Sequence, residues 1–204
     1  MAISLVKGQK VSLKKEDGSS LKSFCVGANW GAITSTSKSF FGKTKTKTEA
    51  VDLDLSVALF AGQKLVDCVY FGKQKANGIQ HSGDDRTGDV GGDDGLDNEV
   101  ISIALESLDP AVEQLVFVLN SYTHINFDQI PFASIRLYEG TPDRVHTIFA
   151  TYNVAKDATF AGKEAMILGK LYRHNGEWKF SAIGEPTADE KLETLLSQSV
   201  PKYL

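Results

Sequence analysis

Between His81 and Glu99 the chain reads HSGDDRTGDVGGDDGLDNE, which sets Asp84, Asp85, Asp89, Asp93, Asp94, Asp97 and Glu99 against a single base, Arg86. Seven acids and one base give −6 in 19 residues, so the rest of this 204-residue chain contributes +2 toward its net charge of −4. Carboxylates are short, hard oxygen donors, and the interspersed glycines let a loop fold back and aim carbonyl oxygens inward. Calcium takes about 6–8 oxygens at ~2.3–2.6 Å in tolerant geometry, which such a loop can supply. Like charges ~5 Å apart repel by about 0.8 kcal/mol even in water, and by several times that near a protein surface. A divalent cation turns this repulsion into attraction, so the loop is expected to be mobile when empty and ordered when filled. Asp and Gly are also ordinary turn residues, and a solvated Asp-rich loop is the competing reading.

No standard calcium motif accounts for the spacing. Placing the EF-hand glycine at Gly95 puts Val90 at the first ligand position, where that motif requires an acid. A second acidic element lies at Asp52 and Asp54 in DLDLS. Side chains repeat every two residues along a strand, so these two share one face while Leu53 and Leu55 point to the core. A cation held between strand and loop would use both elements; a plain polar outer face would need neither.

Catalytic arrangements are weaker. His81, Ser82, Asp84 and Asp85 stand almost in a row, but neighbours on a strand point to opposite faces and rarely build a relay. The four histidines show no H-x₃-H pairing and there is no Cys-x-x-Cys, so a zinc site has no sequence support. No phosphate-cradling glycine loop is present. A metal-assisted phosphoester hydrolase is therefore the minor alternative, and the chain reads as a non-enzyme.

The elements that must position these groups are strands. Short alternating or fully apolar runs occur at 9–15, 23–30, 52–60, 64–72, 100–105, 114–120, 132–139, 144–154, 165–174 and 177–185. Gly62-Gln63 and Asn175-Gly176 suit tight hairpin turns. About ten strands with short connections predict a mainly all-β chain, an antiparallel β-sandwich forming a single domain over 1–204. A short C-terminal helix follows, with Thr187 and Glu190 in capping-box spacing and an apolar stripe of Leu192, Leu195 and Leu196. The Ser/Thr/Lys-rich stretch 33–48, with Lys38, Lys43, Lys45 and Lys47, reads as a solvated mobile loop pinned by Phe40 and Phe41; a phosphate or anionic-lipid contact is its alternative use. Trp30 and Trp178 read as core anchors, and Tyr122 and Phe127 as candidate contacts for a protein partner.

Composition sets the outer bounds. Apolar residues make up 42% and charged residues 24%, which is globular and excludes a disordered or disulfide-rich scaffold. Charge of the wrong sign argues against a nucleic-acid partner, no apolar run is long enough for a membrane-spanning helix, and Cys25 and Cys68 each sit in an apolar run, as buried reduced thiols do. A cytoplasmic protein is expected.

With these residues in place, the chain resembles the tellurium-resistance TerD family of bacterial stress proteins. The likeness runs through LVKGQKVSLKK (5–15), VGANW (26–30), DLDLSVALF (52–60), FDQIPFASIRLYE (127–139) and LYRHNGEWKFSAIGE (171–185); its most specific element is HSGDDRTGDVGGDD (81–94). The resemblance implies a β-sandwich that binds calcium, taken as two ions, through acidic loops at one end, without catalytic activity. It implies ligands from Asp52, Asp54, Asp84, Asp85, Asp93, Asp94 and Glu99, with Asp89 and Asp97 as further members. Related stress proteins of the same operon type are the implied partners, and a calcium-dependent assembly module is the alternative function. Two departures stand out: Gly31 and Ala50 occupy places where family members often carry aspartate, and Gly95-Leu96-Asp97-Asn98 looks inserted before Glu99.

Overall fold

The structure, a computed structural model, describes residues 3–4, 9–12, 21–38, 44–155 and 157–204. Phe40, Phe41 and Lys43, together with 13–15 of the first predicted run, lie outside the described residues. Two sheets carry the fold. The larger contains β1 (Ile3–Ser4), β3 (Ser23–Trp30), β8 (Lys75–Ala76), β9 (Ile79–His81), β10 (Glu99–Ala104), β12 (Ala133–Thr141) and β13 (Arg144–Asn153), ordered β1-β13-β12-β3-β10-β9-β8. The smaller contains β2 (Lys10–Ser12), β6 (Leu53–Ala61), β7 (Lys64–Val69), β11 (Gln114–Ser121), β14 (Ala165–His174) and β15 (Glu177–Thr187), ordered β2-β15-β14-β11-β6-β7. Pairing is antiparallel apart from β1 on β13. The expected antiparallel sandwich is the observed one.

Alternation along the strands builds the core between the sheets. Leu53, Leu55, Val57 and Leu59 of β6 face Phe24, Val26, Ile101, Ile103 and Ile135 of the opposite sheet in one apolar cluster. The other face of β6 is buried too: Ala58 and Phe60 join Val116, Val118 and Ile167 beneath Leu195, Leu196 and Val200 of the C-terminal segment. This is why β6 is buried along nearly its whole length, and it makes the leucine stripe a covering face for the smaller sheet. Both hairpin turns form as expected. Asn175 and Gly176 take φ of 52° and 79° between the paired His174 and Glu177, the left-handed pair that matches strand twist.

Three expectations are corrected. Within 33–48 the described residues form a two-stranded ribbon, β4 (Ile33–Lys38) on β5 (Thr44–Glu49), and all of them but Ile33 are exposed. Alternating threonines favour extended backbone, yet with no apolar face the strand period is invisible in hydropathy. Thr187 caps no helix, because it ends β15 in register with Ala165. The helical segment opens at Lys191 without a side-chain cap and passes from one α turn (Leu192–Thr194) to a π turn (Leu195–Ser199) and a 3₁₀ turn (Val200–Tyr203). Phe127 is no surface contact: it is fully buried, edge-on to Phe160 at 6.0 Å. Tyr122, by contrast, is exposed. No helix among the described residues is long and apolar enough to cross a membrane.

Candidate metal centre

Residues 82–98 join β9 to β10, adjacent strands of the larger sheet, and swing across one end of the sandwich. Backbone hydrogen bonds fix the path of this loop. Asp89 pairs with both Trp30 and Ala32 (N–H to O, 2.9 Å each), and Val51 donates to Thr87 at 3.1 Å. Gly88 lies against the Trp30 ring, where an added Cβ would meet Cδ1 at 2.7 Å. Trp30 is itself wholly buried, its indole N–H on the Val51 carbonyl at 2.8 Å.

The loop brings acids together in two groups. In the first, Asp52, Asp54 and Asp84 each offer an oxygen within 4.8 Å of the other two. Asp52 and Asp54 share the strand face expected of them; both are buried, while Asp84 reaches them from the loop. Asn120, beside Asp54 in register, donates its amide to Asp54 Oδ2 at 3.2 Å. Asp52 Oδ1 and Asn120 Oδ1 are buried with no hydrogen-bond partner among the described residues. Buried acceptors without donors are costly unless a cation or a proton satisfies them. Burial, then the charge of Asp84, raises Asp52 to about 6. Burial, then Glu99 and Asp52, raises Asp54 to about 7. The exposed Arg86 guanidinium is a distant counterion at 3.8 Å from Asp52.

The second group is Asp89, Asp93 and Asp94, whose oxygens also approach within 4.8 Å. Asp93 Oδ1 accepts from Gly95 N–H at 2.8 Å and from the Asn29 amide at 2.9 Å. Asp89 Oδ2 accepts from Asp94 N–H at 3.2 Å. Asn29 Oδ1 is buried and without a partner among the described residues, a further acceptor at this group.

Asp85, Asp97 and Glu99 join neither group. Asp85 Oδ1 accepts from Thr87 N–H, Thr87 Oγ1–H and Gly88 N–H, and these bonds hold its carboxyl below the usual range despite burial. Glu99 is fully buried: Oε2 accepts from Leu55 N–H at 2.8 Å and Oε1 from Asp85 N–H at 3.3 Å, with the His81 ring 3.4 Å away. Glu99 thus ties β10 to β6 and to the loop. Asp97 is paired with Arg136, whose Nε lies 2.7 and 2.9 Å from its two oxygens. His81 Nε2 sits on the Leu55 carbonyl at 3.0 Å, while Ser82 Oγ accepts from Val100 N–H at 2.8 Å; the two side chains serve the framework separately and form no relay.

Four contributors escaped the sequence reading: Asn29, Asn98, Asn120 and Arg136. Asn98 accepts from Trp30 N–H at 2.7 Å and donates to Asp85 Oδ2 at 3.1 Å and Asp89 Oδ1 at 3.0 Å, closing the loop on β3. Asn29 and Asn120 sit inside strands that are otherwise buried and apolar, which is the signal that could have found them. At the two departures, the Phe132 ring fills the space beside Gly31, where a Cβ would meet it at 2.5 Å, and Ala50 is exposed.

The chain matches the family model described as the TerD domain over residues 1–198. It is 35% identical to stress response protein SCP2 of Bacillus subtilis (strain 168), over 98% of this chain and 100% of that protein. It is 34% identical to tellurium resistance protein TerD of Serratia marcescens, over 91% of each. A crystal structure of a homologue of telluride resistance protein (TerD) from Streptomyces coelicolor A3(2) superposes with a TM-score of 0.66 at 18% identity, over 87% of this chain and 96% of that one. The shared sandwich fold is what that likeness shows.

Proposed function

This chain belongs to the TerD family, and from that premise we propose that it is a non-enzymatic stress-response protein of the tellurium-resistance type whose acidic end binds calcium. The carrying observation is the Asp52–Asp54–Asp84 group, in which two buried carboxylates and a loop carboxylate converge while Asp52 Oδ1 and Asn120 Oδ1 have no donor among the described residues. Oxygen-only donors on a sheet-and-loop scaffold suit a hard cation with tolerant geometry, calcium before magnesium, since magnesium demands a stricter octahedron. Asp89, Asp93 and Asp94 offer a second, more exposed site, so two ions are expected.

Relatives named for stress response and tellurium resistance support the cellular role. A non-enzymatic reading fits the framework duties of His81 and Ser82. A cytoplasmic location belongs to the same proposal. The test is a thermal scan in calcium and in chelator. Binding to the folded state alone adds RT ln(1 + [L]/Kd), about 2.7 kcal/mol at a hundredfold excess over Kd. Superimposable scans would remove the calcium reading.

One observation favours a second reading, calcium-dependent assembly with related stress proteins. Tyr122 is exposed, edge-on to Phe71 at 5.9 Å, and its N–H bonds the Asp52 carbonyl at 2.9 Å. An aromatic surface thus adjoins the first acidic group, and an exposed aromatic of this kind can anchor a partner. Calcium-dependent binding of a purified relative that is lost in Tyr122→Ala would support assembly; binding unchanged by either would oppose it.

A further inference from the structure

In the tetrapeptide Gly95–Asn98, Gly95 and Leu96 are exposed while the Asp97 side chain folds down onto the outer face of the larger sheet. Gly27 and Asn29 lie two residues apart on β3 and so present the same face. The Asp97 carboxylate lies over Gly27 so closely that a Cβ there would stand 2.0 Å from Oδ2. Asn29 holds Asp93 on the same face. Arg136 is directly opposite Gly27 in the β3–β12 register. Its Nε bonds both Asp97 oxygens, and its Nη2 bonds the Gly95 carbonyl at 2.9 Å. The Asp97 side chain is 1% exposed and that of Arg136 17%. Gly95 in turn donates its N–H to Asp93. One guanidinium therefore fixes both ends of the tripeptide Gly95–Asp97, next to the second acidic group.

We infer that Arg136, acting through Asp97 seated on Gly27, is a positioning residue for a cation site at Asp89, Asp93 and Asp94. The inference rests on the calcium reading above, with the buried Asn29 Oδ1, which has no partner among the described residues, as a further sign of a ligand at that group. A carboxylate set held in place by neighbouring groups gives up less freedom on capturing an ion, and loss of such a supporting partner typically lowers metal affinity ~10–100-fold. The strand-side group of Asp52, Asp54 and Asp84 includes no residue that Arg136 touches in the described bonds. Its affinity should not move.

The test is calorimetric calcium titration in two parents. Asp54→Asn retains the loop group; Asp93→Asn retains the strand-side group. In the first parent, Arg136→Gln raises the loop Kd by ~10-fold or more, and Arg136→Lys, which keeps charge but not the fork, falls between. Gly27→Ala, which displaces Asp97 while leaving both charges in the chain, reproduces the loss and keeps the test open should Arg136→Gln fail to fold. In the second parent none of these changes alters Kd. Loop affinity unchanged in both Arg136→Gln and Gly27→Ala overturns the inference while leaving the calcium reading intact. An equal loss in both parents also overturns it, since a general weakening of the fold would do that. A loop parent that takes up no calcium removes the inference together with the loop half of the calcium reading, whose strand-side half the second parent tests separately.

Discussion

Asn98 and Trp30 join the acidic loop to the sandwich: the Asn98 carboxamide oxygen accepts the Trp30 backbone N–H at 2.7 Å, while its amide reaches both Asp85 and Asp89. Three bonds from one neutral side chain bring two mutually repelling acids onto a core strand. A carboxylate in the same position would accept from Trp30 but repel the other two, so only the amide serves all three.

Asn98→Ala leaves the Trp30 N–H without its acceptor and frees the two aspartates. Removing one partner of a buried hydrogen bond costs about 1–3 kcal/mol, and that loss should appear in urea denaturation. Asn98→Asp should be destabilising as well, and more so at low salt, where repulsion from Asp85 and Asp89 is least screened. Wild-type midpoints for both variants would show that the loop is held elsewhere.

Trp30 should report on the loop. Its ring touches Gly88 and its N–H is fixed on Val51, the residue before Asp52. Trp178 instead packs under Arg173, whose Cζ lies 4.5 Å from the ring centroid. Calcium is expected to change tryptophan emission in a Trp178→Phe variant as in wild type, and not in Trp30→Phe. A response that follows Trp178 would place the ion elsewhere.

The first acidic group makes stability pH-dependent with an unusual sign for carboxylates. Asp52 and Asp54 are raised in the folded state to about 6 and about 7, from 3.8. Between roughly pH 4 and 7 these two carboxyls therefore bind more protons in the folded chain than in the unfolded one, and their contribution to stability falls as pH rises through that window. In chelator, Asp54→Asn should be more stable than wild type at pH 8 and should lose that advantage near pH 4.5. Calcium should reverse the order at pH 8. Chemical denaturation at both pH values checks this; an advantage independent of pH would mean Asp54 is ionised throughout.

The sandwich was legible because its strands carry the period-2 signal or short apolar runs, and because Gly62-Gln63 and Asn175-Gly176 are turn pairs. The ribbon β4–β5 was not, since Thr34, Thr36, Thr46 and Thr48 alternate with other polar residues and no face is apolar. At the site, Asp52 and Asp54 were legible as a pair from strand parity, and the loop facing them from its charge density; that Asp84 is the loop acid that reaches the pair comes from the fold. The separate duties of Asp85, Asp97 and Glu99 were not. Each is defined by a donor distant in sequence or supplied by loop geometry: Arg136 for Asp97, Leu55 N–H for Glu99, the Thr87–Gly88 turn for Asp85. Charge density finds a crowd of acids; only the fold decides which of them have oxygens to spare.

Calorimetric titration of the wild-type chain with calcium at pH 7.5, paired with Asp54→Asn, tests the central claim most directly. The account predicts two ions per wild-type chain and one per variant, the surviving ion being that of the Asp89–Asp93–Asp94 group. No heat of binding in the wild type, or identical stoichiometry and affinity in the two proteins, would contradict it.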